Sequence, residues 1–329
     1  MTPLPRGISP FEKSVAKGLD VQAKFRQLAA SALDRAVRDG LQLLELDFPP
    51  LVGGELSKTQ FDDFDNLSEL DANRDWCAQF APMISPSAGG GTGGRRETWL
   101  VFPDDKECEL AAKEWSGRRF RDAAKFTSIR AACEAAIGRE DVDTKTAKAW
   151  GSTFASAFDK LAGGDGVLAD SSYLDRLVDD DATAAGGQRR PRLNLVCQPG
   201  NGGPVEDWQN VEQLHLADPT AVTCVVNGAL DKVRDGYYPA LFFPGLAKAT
   251  PFYRGFEQAF FLKPVSDKGV YGWLYRVYPE PWQVVLQSPK TVTRGEQEVV
   301  TVEERVALVS ETRPTFTQAV QALLKEAVK

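Results

Sequence analysis

Two glycine-rich turns and one aromatic–arginine segment are the places where this sequence could hold chemistry or recognition. Residues 198–204 (QPGNGGP) follow an apolar run at 192–198 (RLNLVCQ) and precede a helical pattern over 204–216. In a strand–turn–helix context, backbone N–H groups and a helix N-terminus can hold an anion. Gly200, Asn201, Gly202 and Gly203 are therefore the candidate ligand-binding residues, with Pro204 suited to the first helical position. The spacing is neither GxGxxG nor GxxxxGK(S/T), and no lysine follows to meet a phosphate. The competing reading is an ordinary turn that uses glycine for positive φ. A second run, residues 89–94 (GGGTGG), precedes a strand-like segment instead of following one. That order is wrong for a dinucleotide turn, so a surface loop is the reading there, with Arg95 and Arg96 beside it.

Acid–base and nucleophilic chemistry find little support. The single histidine, His215, falls near the end of a helical pattern between Leu214 and Leu216, with no orienting partner in view. GxSxG and HExxH signatures are absent. The five cysteines, Cys77, Cys108, Cys133, Cys197 and Cys224, form no CxxC pair. Their odd number and wide spacing read as reduced thiols in the core, and nothing clusters as a metal site. The expectation is no catalytic residue, no metal and no cofactor. The carboxylates are plentiful, and none is singled out.

Residues 271–282 (YGWLYRVYPEPW) carry more information. Strand alternation puts Trp273, Tyr275 and Val277 on one face, and Leu274, Arg276 and Tyr278 on the other. Clustered Trp, Tyr and Arg anchor protein interfaces. Arginine stacked on a ring is also a structural device. Trp273, Tyr275, Arg276, Tyr278 and Trp282 are thus partner-binding candidates, with core packing as the alternative.

The elements that must position these residues alternate in type. Residues 20–39 have helical spacing (Val21, Phe25, Leu28, Ala32, Leu33, Ala36), with Gly40 as the stop. Strand-like runs follow at 41–48 (LQLLELDF) and 98–103 (TWLVFP), the latter leading into a helix capped by Asp104 or Asp105. Residues 57–82 read as a helix opened by a Ser57–Gln60 capping box, with an acidic outer face from Asp62 to Asp75. That face could dock a basic partner or simply be solvated. An alanine-rich stretch at 126–162 reads as helical, residues 179–190 as a loop, and 221–226 as a fourth strand. Three strands at 259–265, 272–278 and 282–287 are too closely spaced for anything but antiparallel pairing. A further strand is expected at 305–311 and an amphipathic helix at 316–328.

The fold class is therefore α/β: a Rossmann-like, mostly parallel sheet flanked by helices, with an antiparallel C-terminal extension. Residues 1–19 form an N-terminal extension. Residues 20–329 form one domain, parallel-type to about 250, antiparallel over about 255–311, with a terminal helix at 315–328. The net charge of −7 argues against a broad nucleic-acid footprint. No apolar run reaches the roughly 18 residues needed to span a bilayer. Residues 1–10 lack the apolar core of a secretory signal and are too short and too poor in Ser and Arg for a whole transit peptide; if a precursor carries one, a mature or trimmed form is expected.

Residues 272–284 (GWLYRVYPEPWQV) resemble the LxRxYPxPWxV ending of a plant, algal and cyanobacterial family with a domain of unknown function. The family includes the chloroplast low-photosystem-II-accumulation assembly factor and also occurs fused to a chloroplast adenylate kinase. The Asp39-Gly40 helix end, residues 43–49, Val101-Phe102-Pro103-Asp104 with Trp115, residues 193–199 and Val225-Val226-Asn227 agree in order, over roughly 20–290. The resemblance implies a chloroplast protein of the stroma or thylakoid surface. It would assist photosystem II biogenesis by contacting photosystem subunits or other assembly factors, with peripheral thylakoid association. The alternative is a nucleotide- or phosphate-ligand-binding α/β protein, possibly an enzyme, using the turn at 198–204.

Overall fold

The computed structural model describes residues 1–11, 18–52, 55–56, 66–84, 97–137, 192–200, 206–294 and 297–329. In chain order they form helix α1 (Gly18–Arg38), strands β1 (Leu43–Asp47), β2 (Leu51–Val52) and β3 (Glu55–Leu56), and helix α2 (Asn66–Ile84). Strand β4 (Thr98–Phe102), helices α3 (Asp105–Glu114) and α4 (Arg118–Arg121), strand β5 (Lys125–Ser128) and helix α5 (Ile129–Ile137) follow. After residue 191 come β6 (Leu193–Cys197), α6 (Glu206–Ala217), β7 (Val222–Val226), α7 (Asp231–Arg234) and α8 (Pro244–Arg254). The chain ends with β8 (Glu257–Asp267), β9 (Val270–Val277), β10 (Trp282–Arg294), β11 (Gln297–Ser310) and α9 (Phe316–Ala327).

Nine of these strands form one sheet in the order β11-β10-β9-β8-β1-β7-β6-β4-β5. From β8 to β5 every pairing is parallel, and from β8 to β11 every pairing is antiparallel. The expected mixed architecture is therefore what forms. Strand β8 is its pivot, parallel to β1 along one edge and antiparallel to β9 along the other.

Strand alternation sorts the apolar side chains onto two faces. On the first, α1, α2 and α3 cover Leu44, Leu46, Leu100, Leu195, Cys224, Phe260, Leu262, Trp273 and Tyr275. Phe25 of α1 meets Phe48 and Phe260, and Trp76 of α2 stacks on Phe80. Buried Leu4 and Ile8 bring the N-terminal residues into the same cluster. On the second face, α5, α6, α7 and α8 cover Trp99, Val196 and Val225. Helix α9 covers Phe261, Leu274, Trp282 and Val284 there. These two clusters lie on one face because Val225 pairs with Glu45, and Phe261 with the next-but-one residue, Asp47. Between them runs a strip of charge.

Several local expectations change. Residues 125–128 form an edge strand, not the start of a helix, because Phe126 packs against the first cluster and the segment pairs in register with β4. Helix α2 begins at Asn66, and the Ser57–Gln60 capping pair lies outside the described residues. So do most of 126–162, the loops at 89–94 and 179–190, and Asn201 to Pro204. The helices α7 and α8 were not anticipated. Asp104 does cap α3, its carboxylate accepting from Glu107 N–H at 2.8 Å. Helix α9 carries a full capping box between Thr315 and Gln318.

Helix α9 approaches the sheet at Gly272, where an added Cβ would lie 2.4 Å from Val285 O and 2.7 Å from a methyl of buried Leu323. Gly272→Ala is expected to lower stability by about 2–3 kcal/mol by lifting α9 off β9 and β10. Urea unfolding monitored by circular dichroism checks it.

Candidate functional site

Two polar constellations occupy the carboxyl ends of the parallel strands, where open α/β sheets place their ligands. The first is built from amides. Strand β1 continues through α2 on the first face and β7 through α7 and α8 on the second, so β1 and β7 flank a switch point. There Phe48 N–H donates to Asn227 Oδ1 at 2.9 Å. Asn227 Nδ2 donates to Asn73 Oδ1, and Asn73 Nδ2 to Gln198 Oε1, each at 2.6 Å. Asn73, Gln198 and Asn227 are all buried. Gln198 and Asn227 both leave their strands with positive φ, at 45° and 49°. Asparagine enters that region more readily than most residues with a side chain. The chain of amides ties three strand ends to α2.

Gly200, the last described residue of the glycine-rich turn, packs onto the helix that follows it. Gly200 has φ +69°, and a Cβ there would lie 2.4 Å from the Trp208 ring. Its N–H donates to Asp207 at 3.3 Å. The Trp208 indole N–H donates to Gly228 O at 2.9 Å, so one buried tryptophan supports both loops of the crevice. Burial pushes Asp207 up to about 6, against the lowering effect of the Gly200 N–H. Gly200 is thus required by tryptophan packing. Asn201, Gly202 and Gly203 lie outside the described residues.

The second constellation is ionic and was missed by sequence reasoning. Glu45 and Asp47 of β1 point to the second face beside Lys263 of β8. Arg234 meets Glu45 at 2.6 Å and Asp231 at 3.2 Å. Arg313, in the link from β11 to α9, grips both Asp231 oxygens at 2.6 and 2.8 Å. Lys263 joins Asp231 at 3.3 Å to Asp47 at 2.7 Å. Three acids and three bases close on one another. Burial raises Glu45 despite Arg234. Burial would raise Asp231 as well, but the Arg313 hydrogen bonds and the charges of Lys263, Arg313 and Arg234 hold it below the usual carboxylate range. Burial would lower Lys263, and Asp47 and Asp231 reverse that. A cleft of about 720 Å³ opens onto the cluster, lined by Asp47, Asp231, Lys263 and Arg313 together with Phe48, Pro49, Pro264 and Phe316.

The signal for this cluster was present in residues 43–47 (LLELD). A strand in the middle of a parallel sheet is covered on both faces, so alternating acids there must find buried cations. Asn73 had no such signal, because it falls within a helix that otherwise reads as acidic and solvated.

The aromatic–arginine segment serves the interior. Trp273, Tyr275 and Trp282 are buried, the first two on the α1 face and Trp282 under α9. They offer no surface to a partner, so core packing is the reading that fits these three. The Trp282 ring lies between Arg276 at 5.4 Å and Arg313 at 5.7 Å, with Phe261 edge-on at 5.1 Å. Arg276 is engaged by Glu257 at 2.6 Å and Glu280 O at 3.0 Å. Tyr278 departs from strict alternation. Strand β9 ends at Val277, and Tyr278 turns to the α1 face, its hydroxyl donating to Asp39 at 2.9 Å. Glu280 in the same turn accepts from the Thr2 hydroxyl at 2.9 Å.

The other candidates are accounted for. His215 is half-buried in the last turn of α6 against Phe252, and burial lowers its pKa. The five cysteines are free and buried, with Cys108 and Cys133 pushed up to about 12 by burial. Among the described residues no cluster of His, Cys, Asp and Glu could hold a metal, and no helix is long and apolar enough to cross a membrane.

Three substitutions separate these roles. Trp282→Ala should cost about 3–5 kcal/mol and Tyr278→Phe under about 1 kcal/mol, measured by chemical denaturation. Asp231→Asn leaves Arg313 without its acid and removes one of the two acids at Arg234 and at Lys263, and should cost about 3 kcal/mol at pH 7. Because the folded-state pKa of Asp231 is depressed, its contribution is present above about pH 4 and fades as the pH falls further. The gap between Asp231→Asn and wild type should therefore narrow below about pH 4 in denaturation curves taken across pH.

No curated protein and no solved structure matches the chain significantly. A family model matches residues 22–317, nearly the whole of the described fold, and by that match the chain belongs to the family described as a domain of unknown function, DUF1995.

Proposed function

We propose that this chain is a non-enzymatic interaction factor of the chloroplast that assists photosystem II biogenesis at the thylakoid surface. One observation carries the non-enzymatic part. At the strand ends, where α/β enzymes gather reactive groups, the amides of Asn73, Gln198 and Asn227 bond one another, and Glu45, Asp47 and Asp231 pair with Arg234, Lys263 and Arg313. Such pairing holds a frame rigid, and the Glu45 oxygen left without a hydrogen bond is fully buried, whereas a general base needs a lone pair within reach of substrate. The chloroplast part is supported by the family membership together with the LxRxYPxPWxV resemblance. The segment's role in this reading is to lock β9, β10 and α9 together, so that the outer surface of the fold does the recognising.

Deletion of the gene in a photosynthetic host should reduce photosystem II core subunits on immunoblots. The tagged chain should co-purify with those subunits or their assembly intermediates. Normal photosystem II accumulation in the deletion strain would sink this reading. A thermal-shift screen with nucleotides and sugar phosphates tests the ligand-binding alternative: stabilisation at millimolar ligand would favour it, since a ligand of the folded state must stabilise that state.

A further inference from the structure

The loop between α7 and α8, residues 235–243, turns apolar side chains outward. Leu241 is 84% exposed, Phe242 73% and Tyr237 71%. Pro239, Ala240 and Pro244 are exposed beside them. Scattered exposed apolar residues are ordinary, but three large ones within six positions at one tip are not. The tip is also braced. Phe242 and Phe243 N–H both donate to Pro239 O at 3.0 Å. Tyr238 packs on Trp208 at 5.5 Å and on Phe243 at 5.1 Å, and Tyr237 sits edge-on to Tyr238 at 5.1 Å. With its base anchored to the buried Trp208, the turn holds Leu241 and Phe242 away from the core.

We propose that this tip inserts into the headgroup–acyl boundary of a lipid bilayer. Size and chemistry favour a bilayer over a protein. The tip offers roughly 400 Å² of apolar side chain, about half of what one partner contributes to a standard protein interface. From Pro239 to Phe242 no side chain carries a polar group, whereas a protein interface has a hydrogen-bonding rim. A bilayer boundary asks only for an apolar wedge about 5–10 Å deep. Tyr237 and Tyr238 stand at the base of the wedge, where amphipathic rings sit at headgroup level. The charges nearby in sequence are mixed, with Lys232, Asp235 and Lys248, so attachment is apolar and takes no particular headgroup charge. The inference stands apart from the assembly role, since a membrane-seated chain could serve other ends.

Flotation of the full chain with phosphatidylcholine vesicles tests it. The wild type should float with the vesicles, and about 0.5 M salt should not release it. Leu241→Ser combined with Phe242→Ser should lower the bound fraction roughly tenfold or more, with the unfolding midpoint unchanged because both positions are exposed. A second readout does not depend on that variant. All five native cysteines are buried, so a polarity-sensitive dye can be placed on the thiol of Ala240→Cys, and its emission should shift to the blue on adding vesicles. Absence of wild-type flotation, undiminished flotation of the double variant, or a dye with unchanged emission would each overturn the proposal. So would a dimer that the double variant dissociates without any vesicle binding, which would assign the tip to contact between copies.

Discussion

A carboxylate at the centre of a sheet covered on both faces constrains everything around it. Glu45 is fully buried, and its neighbour on the same face, Asp47, is nearly so. Burying one unpaired charge costs several kcal/mol, comparable to the whole net stability of a domain. Arg234, Lys263 and Arg313 therefore have to arrive at the same place from three separate parts of the chain. Arg234 comes from the short helix after β7, Lys263 from β8, and Arg313 from the link before the last helix. Their meeting ties α7 and the link before α9 to the seam where β1 pairs with β8.

The aromatic segment extends the same constraint outward. Trp282 is flanked by Arg276 and Arg313, so a ring from β10 connects the guanidinium that grips Asp231 to the one that holds the turn after β9. The adjacent turn then reaches Asp39 at the end of α1 through Tyr278, and Thr2 through Glu280. A motif that looks like an exposed recognition strip is in this way a clasp between the two halves of the sheet. The amide chain does the corresponding work just past the same end of β1, at Phe48. It holds two strand ends in left-handed conformations, at Gln198 and Asn227, of which asparagine enters that region the more readily. Polar residues that could have been read as a reactive site are, in both places, the fasteners of a rigid frame. On that frame the loop over Trp208 turns Tyr237, Leu241 and Phe242 to solvent.

Much of the architecture was legible because it rests on periodicity. Alternation over 271–278 sorted Trp273 and Tyr275 from Leu274 and Arg276, and short connections forced the antiparallel pairing. Asp104 and Gly40 marked helix ends through local backbone chemistry that needs no tertiary context. Lys125–Ser128 was not legible, since four residues beside an alanine-rich stretch carry too little pattern to separate an edge strand from a helix. The site was less legible than the fold. QPGNGGP advertised itself by composition, yet Gly200 answers to a tryptophan eight residues later. Tyr237, Leu241 and Phe242 lie in a segment with no helical or strand period, and that lack of period with so much apolar content was the available sign.

The sequence by itself determined the alternation of elements, the helix caps, the antiparallel extension and the presence of acids on a strand that must be buried. Only the tertiary structure decided which cations neutralise those acids, that three amides from distant segments bond in series, and that Trp282 lies between two guanidinium groups. The physical reason is range. Periodicity and capping act within a few residues and leave a mark in local order. Charge neutralisation and amide pairing act between groups as much as 268 positions apart in Glu45 and Arg313, and a linear sequence holds no record of which distant partner arrives.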